Sequence, residues 1–402
     1  MHDFHSIKIF RHGIKALSLH TEVTSTPTCN ELVQTGIIAM KAGIVTQPLK
    51  NNFGGIIQNF ALQETLRALG HEPVTICVAQ VYEPLSLRER IAPFVRWLKL
   101  MPYLPGGNMC NFFRTAHTGQ RRNLSEFTDT YISTISIPRY AVPPGINALI
   151  CGSDQIWRPK YNACIEDMYF RFAETADIVR ISYAASFGTD RWEYSESQTL
   201  ECARLIELFD YVSVREKSGA ELCRRHLGHH AEWVADPALL LDAEQYGRLC
   251  TSIPVSTTPY IGSYLLDPDK SRLKILSGLR KHLHIPVHDC NPASASMEEW
   301  LAMFRDADFV VTDSFHGTIF SIIFRKPFIT IANPVRGNAR LKSLLEPLGL
   351  YDRMTDSTNE AQRIAAAPIN WNAVETRLNA FRSKSINFLK ESLSKHDKTS
   401  QP

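Results

Sequence analysis

The sequence predicts a two-domain α/β protein in which helices cover parallel sheets. Three observations support this prediction. The chain has 402 residues, more than a single hydrophobic core usually serves. Short apolar segments alternate with segments of helical period, which is typical of parallel strands joined by crossover helices. Several of these strands end in small or polar residues, as strands do at the binding edge of a sheet.

The first forty residues do not share this pattern. Residues 1–40 hold scattered His, Thr and Ser without a period, and we expect an N-terminal extension that is disordered or follows a wrongly assigned start. In that case Met40 is the natural start, and a short ordered helix is the alternative. The first domain is predicted at 41–245. It opens with a strand, a helix and a second strand at Ala42–Thr46, Ile56–Leu69 and Pro73–Val78.

A basic amphipathic insertion interrupts this domain at residues 83–122. It carries seven Lys or Arg residues against Glu83 and Glu89, with apolar residues between them. Two interpretations are open. The insertion is either a solvated segment that packs on the domain or a contact with an anionic membrane surface or a lipid-linked acceptor.

The α/β pattern then resumes and continues to the end of the chain. Further strands of the first domain are predicted at Ala148–Cys151, Val179–Ala184, Tyr211–Val214 and Ala231–Val234, with helices at Glu196–Leu208 and Ala220–Leu227. The second domain, 246–370, is predicted to hold strands Tyr260–Leu265, Ile285–His288, Phe309–Val311 and Pro327–Ile331 and helices Met297–Phe304, Gly317–Phe324 and Ala339–Leu348. Residues 371–402 are predicted as a closing helix, Trp371–Ser394, and a tail.

Composition excludes several classes of protein. The net charge of +3 is too small for a dedicated nucleic-acid binder. No apolar run reaches the roughly 18 residues of a membrane span, and charged residues interrupt any secretory signal. The nine scattered cysteines form no C-x-x-C pair and suit buried thiols in a reducing compartment. We therefore expect a cytoplasmic protein, with the inner face of the membrane as an alternative location.

The strongest candidate site is Asp313-Ser-Phe-His-Gly-Thr318, which ends an apolar strand and starts a helix. Free N–H groups at a helix start, next to the Ser314 and Thr318 hydroxyls, suit a phosphate or carboxylate. His316 has the side chain whose pKa lies nearest neutrality and can carry protons. A capping Asp or Ser with a structural histidine is an equally open interpretation.

Three other segments can supply polar contacts. Arg215 follows a strand and offers a bidentate fork to an anion, or forms a surface ion pair. Asp154 and Gln155 can bind sugar hydroxyls, while Trp157 either stacks on a sugar or fills the core. The loop Asn51-Asn-Phe-Gly-Gly55, which includes Asn52, is a further anion or sugar loop, or a plain tight loop.

A metal site is not expected. Asp267-Pro-Asp269 looks like a turn, and Asp306-Ala-Asp308 precedes its strand instead of following it. His226, His229 and His230 form a cluster at an exposed helix end, which suits a metal poorly.

Taken in order, six segments resemble the polysaccharide pyruvyl transferase family. They are Asn52–Gln63, Gly152–Trp157, Tyr183–Gly188, Ser213–Ser218, Val234–Pro237 and Asp313–Thr318. The resemblance covers roughly residues 41–335. It departs from the family at the first loop, which lacks the acidic residue of a Gly-Gly-Asn-x-Gly-Asp pattern.

This resemblance implies a GT-B-like fold, with two Rossmann-like domains facing across a cleft. It also implies phosphoenolpyruvate as donor and co-substrate, a glycan or lipid-linked oligosaccharide acceptor, and a pyruvate ketal product in surface polysaccharide biosynthesis. No cofactor is expected. The alternatives are a GT-B glycosyltransferase that uses a nucleotide sugar and a non-catalytic glycan- or membrane-associated partner.

The candidate residues named above can be assigned roles in the reaction that the resemblance implies. The catalytic candidates are His316, Arg215 and Asp313; the donor-binding candidates are Ser314, Gly317, Thr318 and Arg215; the acceptor-binding candidates are Asn51, Asn52, Asp154, Gln155 and Trp157. His316 is expected to give and take protons, and Arg215 with the 314–318 turn to hold the donor anions.

Overall fold

A computed structural model describes residues 39–50, 52–78, 119–290, 294–333 and 337–394. Nearly all of the predicted extension 1–40, the greater part of the basic insertion 83–122, and Asn51 lie outside these ranges. The expectations attached to them therefore stay predictions.

The first domain is built on a seven-stranded parallel sheet in the order β3-β2-β1-β4-β5-β6-β7. Its strands are β1 Lys41–Val45, β2 Glu72–Val78, β3 Thr134–Ile137, β4 Ala148–Cys151, β5 Val179–Ala185, β6 Tyr211–Val214 and β7 Glu232–Trp233. The central strands β4 and β5 are buried along their whole length. Strands covered on both faces read as continuous apolar runs, which is why the sequence located them.

The second domain has a five-stranded parallel sheet in the order β12-β11-β10-β8-β9. The strands are β8 Ile261–Tyr264, β9 Val287–Asp289, β10 Phe309–Thr312, β11 Phe328–Ile331 and β12 Met354–Thr355. The predicted class of two Rossmann-like α/β domains is confirmed by these two parallel sheets and the helices between their strands.

Eleven α-helices lie in the described ranges. They are α1 Phe53–Ala68, α2 Gly119–Tyr131, α3 Glu196–Ile206, α4 Lys217–Leu222, α5 Ala243–Leu249, α6 Lys270–Leu283, α7 Met297–Asp306, α8 Phe315–Ile323, α9 Ala339–Leu348, α10 Thr358–Ala366 and α11 Trp371–Leu393. Helix α4 continues into a π-helical turn at Cys223–Leu227. None of the helices in the described part of the chain is long and apolar enough to cross a membrane.

Helix α5 spans the predicted domain boundary at 246. Its Tyr246 ring meets Phe320 of the second domain edge to face, with centroids 4.8 Å apart. The chain has therefore already joined the core of the second domain at this helix.

The closing helix α11 contacts both domains. Near its start, Arg377 donates a hydrogen bond of 3.0 Å to the carbonyl of Leu348 in the second domain. Further along, the Ser385 hydroxyl accepts a 2.8 Å bond from the backbone N–H of Ala235, beyond the last strand of the first sheet. The predicted closing helix is thus present and joins the two domains.

Helix α1 also brings the two domains together. Phe53, its first residue, stacks on Trp300 of α7 at 5.4 Å and meets Tyr264 of β8 edge to face at 6.3 Å. Because α1 follows β1, this contact brings the carboxyl edges of the two sheets close to each other across a cleft.

Candidate active site

A cavity of about 70 Å³ lies where the carboxyl edges of the two sheets meet. Its lining combines side chains of both domains: Asn52, Asp154 and Gln155 from the first, and Ser314, His316 and Arg340 from the second. The volume is several times the roughly 10–15 Å³ that one water molecule requires in a cavity. The enclosed part therefore has room for one small group such as a phosphate or a carboxylate.

The second domain contributes the start of helix α8. Ser314 is its N-cap, and the Ser314 hydroxyl accepts a 3.2 Å bond from the backbone N–H of Gly317. The sequence placed this start two residues later, at Gly317. Phe315 and His316 therefore form the first turn, where backbone N–H groups lack partners within the helix and favour an anion.

The imidazole of His316 is confined by both domains. Its Nε2 lies 3.7 Å from Oδ1 of Asp236, which is ion-pair contact and longer than a hydrogen bond. A Cβ atom at Gly54 would overlap the imidazole ring. The first turn of α1 therefore contacts His316 through the backbone of Gly54, without a side chain between them. The ring is thus held between a carboxylate and a helix of the opposite domain.

Asp236 owes its charge to these neighbours. Burial alone raises the pKa of a carboxyl group, but His316 and Arg215 outweigh burial and hold the pKa of Asp236 well below its usual value. The carboxylate is consequently ionised beside the imidazole, where it can orient the ring and stabilise its protonated form.

Arg215 is enclosed among carboxylates and does not form the surface ion pair left open by the sequence. Its side chain is fully buried and donates hydrogen bonds of 2.8 Å to Asp236 and 3.2 Å to Asp154. Arg215 and the neighbouring cations also hold the pKa of Asp154 below its usual value, against the effect of burial. The guanidinium group that the sequence predicts to bind an anion is therefore already hydrogen-bonded to two aspartates of the protein.

On the first domain, Asp154 and its neighbours form a polar wall of the cavity. Asp154 has a left-handed backbone, φ 61°, which Asp tolerates better than most residues. Its carboxylate accepts a 2.9 Å bond from the Asn52 amide. The carbonyl oxygen of the Gln155 side chain accepts a 3.0 Å bond from Arg158, which fixes the orientation of that amide.

Four predicted site residues have other tasks in this structure. Trp157 is wholly buried, stacks on Tyr169 at 4.7 Å and donates its indole N–H to a backbone carbonyl. It fills the core instead of facing the cleft. The Thr318 hydroxyl pairs with Thr330 at 2.8 Å, and Gly317 packs against Thr312, so neither faces the cavity.

Asp313, the fourth of these residues, lines the cavity, but its carboxylate is engaged by the neighbouring backbone. Its carboxylate accepts backbone hydrogen bonds from Leu266 at 2.6 Å and Asp267 at 3.1 Å, and burial raises its pKa. These bonds shape the loop after β8 and give Asp313 a positioning role, while its catalytic role stays a prediction.

Two residues of the site were missing from the sequence-based candidates. Asp236 lay within the segment Val234–Pro237, where an acid directly after a strand was a usable signal. Arg340 had no such signal, because it lies in the first turn of α9 and reaches the cavity only through the packing of that helix.

No group of three or more His, Cys, Asp or Glu side chains in the described ranges is placed to hold a metal ion. Asp269 caps α6 by accepting a 2.9 Å bond from the backbone N–H of Arg272. His226 stacks on Trp192 at 4.5 Å, while His229 lies against Glu207. Asp269, His226 and His229 thus have structural partners.

The contact between Gly54 and His316 gives a first prediction. Gly54→Ala is expected to displace the imidazole and lower the turnover number by up to about 10²-fold, because small misplacements of a reacting group are costly. The measurement is steady-state turnover with urea denaturation of the same preparation. Gly247→Ala is the matched control, since nothing lies within 4 Å of a Cβ added there. Unchanged turnover in Gly54→Ala would contradict a role for the position of this ring.

Comparison with solved structures finds similar folds at low identity. LpCGTa in complex with UDP superposes with a TM-score of 0.48 at 11% identity, covering 89% of this chain and 99% of that one. UDP-GlcNAc 2-epimerase from Neisseria meningitidis bound to UDP-GlcNAc gives 0.45 at 10% identity, with 88% and 99% covered. Medicago truncatula UGT71G1 complexed with UDP-glucose gives 0.45 at 10% identity, with 88% and 98% covered. None of these similarities bears on the substrate.

Sequence comparison gives a more specific result. A search of curated proteins finds no match. The family described as polysaccharide pyruvyl transferase, in contrast, matches residues 52–334, which is well over half of the chain and includes the cavity residues from Asn52 to Asn333. The chain therefore belongs to the polysaccharide pyruvyl transferase family.

Proposed function

We propose that the protein transfers the pyruvyl group of phosphoenolpyruvate to two hydroxyls of one glycan acceptor, forming a pyruvate ketal and releasing phosphate. The observation that carries the proposal is that His316, which lines a small cavity between the domains at a helix N-terminus, lies 3.7 Å from the Asp236 carboxylate. A proton carrier and an anion-binding helix start are the two groups that this donor requires.

The first step adds one sugar hydroxyl to the donor. The methylene carbon of phosphoenolpyruvate gains a proton, and the hydroxyl oxygen forms a bond to the adjacent carbon that carries phosphate. His316 delivers the proton to carbon and accepts the proton of the attacking hydroxyl, so one group serves both transfers. Asp236 stabilises the charged imidazole between them.

The second step releases phosphate. The other hydroxyl attacks the same carbon, the carbon–oxygen bond to phosphate breaks, and the hydroxyl proton leaves with the phosphate. The two acceptor protons thus end on the new methyl group and on phosphate, and the reaction needs no oxidant or reductant. The N-terminus of α8 favours the negative charge that develops on the leaving group.

The acceptor is assigned to the wall formed by Asn52, Asp154 and Gln155. Amide and carboxylate groups match the donors and acceptors of sugar hydroxyls. Asn52 and Gln155 are each held by a hydrogen bond, which fixes the direction of their remaining polar atoms. Trp157 takes no part, because its ring lies inside the core.

Ligand-dependent stability tests the donor. Phosphoenolpyruvate at 100 times its dissociation constant is expected to stabilise the folded protein by about 2.7 kcal/mol, because it binds the native state alone. The measurement is thermal denaturation with phosphoenolpyruvate and, in parallel, with a panel of UDP-sugars. Incubation with a candidate glycan should then release inorganic phosphate and add one pyruvate ketal to the product, as read by mass spectrometry.

The outcomes separate the alternatives. Stabilisation by a UDP-sugar but not by phosphoenolpyruvate would replace the proposal by nucleotide-sugar transfer. Binding of glycan with no turnover of either donor would indicate a non-catalytic glycan-binding protein.

A further inference from the structure

Arg215, the residue that the sequence predicts to bind the donor anions, is already surrounded by carboxylates of the protein. Three carboxylates surround Arg215: Asp236 at 2.8 Å, Asp154 at 3.2 Å and Glu216 at 3.9 Å. All four groups are buried. An incoming phosphate that approached Arg215 would therefore meet carboxylates before it met an available positive charge, and would be repelled.

Arg340 is a second arginine close to the cavity and lines it directly. It lies in the first turn of α9 in the second domain, is 8% exposed, and lines the same cavity as His316 and Ser314. Its guanidinium carbon lies 5.5 Å from the centroid of the Phe315 ring. Phe315 is the first residue of α8, and Arg340 lines the same cavity as Ser314 and His316 at this helix start, which favours anions.

The two arginines are packed against one aromatic ring. The guanidinium carbon of Arg215 lies 4.8 Å from the Phe315 centroid. Burial, followed by the charge of Arg215, lowers the pKa of Arg340 to about 10, although the charges of Glu216 and Asp154 act in the opposite direction. Two buried cations at one ring repel each other, and an anion bound in the cavity beside Arg340 would add to the attraction that these carboxylates already supply.

We propose that Arg340 binds the phosphate group of the donor, together with the first backbone N–H groups of α8. The inference rests on the proposed function for the identity of the donor, but the chemistry recognised is a phosphate dianion, whether carried by phosphoenolpyruvate or free as product. The planar guanidinium can bind two phosphate oxygens at once, which a lysine cannot. Arg215 is then a positioning residue that holds Asp154 and Asp236.

Two substitutions of Arg340 test the assignment. Arg340→Gln removes the charge, and Arg340→Lys keeps the charge but removes the fork. Titration calorimetry with phosphoenolpyruvate and with inorganic phosphate is expected to show at least about tenfold weaker binding for Arg340→Gln, and an intermediate loss for Arg340→Lys. In steady state, the KM for phosphoenolpyruvate should rise more than kcat falls, and phosphate should become a weaker product inhibitor.

Arg325→Gln is the matched control, since Arg325 is an exposed arginine of the same domain paired with Glu375. It is expected to bind both ligands as the wild type does. A folded Arg340→Gln protein that binds phosphate within twofold of the wild type overturns the assignment. If that variant does not fold, wild-type phosphate affinity in Arg340→Lys overturns it.

The same data separate this inference from the proposed function. If the wild type turns over phosphoenolpyruvate and Arg340→Gln keeps its KM, the inference fails alone. If the wild type ignores phosphoenolpyruvate while inorganic phosphate binds in an Arg340-dependent manner, the proposed function fails and the phosphate site stands.

Discussion

His316→Gln is expected to slow phosphate release from phosphoenolpyruvate by about 10²- to 10⁴-fold, the usual contribution of a positioned acid–base group. Glutamine keeps the polarity and approximate length of the side chain, so the N-terminus of α8 should remain intact. The effect should lie in kcat, because the phosphate contact assigned to Arg340 is untouched. Rapid measurement of phosphate release, with phosphoenolpyruvate affinity determined by calorimetry, gives both quantities.

The control for burial is His71→Gln. His71 is buried to a similar degree, and its Nδ1 accepts a 3.3 Å bond from the backbone of Met40. That contact lies before β1, at the opposite end of the strand from the cleft. The control should lose some stability but keep its turnover per folded molecule. Wild-type kcat in His316→Gln would remove the imidazole from the mechanism.

Arg215→Met is expected to lower the free energy of unfolding by about 3–5 kcal/mol at neutral pH, because it leaves buried carboxylates without their cation. Asp154 keeps a depressed pKa chiefly through this arginine, Asp236 does so through His316 and this arginine together, and Glu216 already has a pKa raised by burial. Without the guanidinium, all three carboxyl groups should take up protons more readily in the folded state than in the unfolded chain.

The sign of the pH dependence follows from that proton uptake. Stability relative to the wild type rises as pH falls when the folded variant binds the extra protons. The gap between Arg215→Met and the wild type should therefore be widest near pH 7 and narrow towards pH 5. Urea denaturation at both pH values measures the gap.

Arg353→Met supplies the comparison for the pH effect. Arg353 is 3% exposed but donates its hydrogen bonds to the backbone carbonyls of Ile364 and Pro368, and its acidic neighbour Asp352 is largely exposed. Its removal should cost stability to a similar extent at both pH values. A pH-independent gap for Arg215→Met as well would show that the carboxylates do not depend on Arg215.

The strands were predictable because burial on both faces leaves a mark in the sequence. Tyr211–Val214 was predicted with the bounds that the structure shows, since it is a short apolar run that ends in charged residues. Strand β3 was missed because alternate residues of Thr134–Ile137 are exposed, so no apolar run marks it. The sequence predicts that helix α8 begins at Gly317, but the helix begins at Phe315 because Ser314 caps it. The difference arises because a Gly lies in the first turn, where it resembles the end of a loop.

The site was predictable where its residues follow strands, and not where separate elements converge. Arg215 and Asp154 follow strands of the first sheet and the 313–318 turn follows a strand of the second, so their position at the carboxyl edges of the two sheets could be expected. Whether Trp157 faces a ligand or Tyr169 depends on a partner distant in the sequence. The contribution of Arg340 depends on how α9 packs against α8, which no local pattern encodes.

The contact between His316 and Asp236 crosses from one domain to the other. Asp236 follows the last strand of the first sheet, and His316 belongs to a helix of the second domain. Rotation of one domain away from the other would therefore separate the imidazole from its carboxylate at the moment the cleft admits solvent. In the proposed reaction, an open enzyme would hold an incomplete acid–base pair, so the donor would be protected from hydrolysis until the acceptor is enclosed with it.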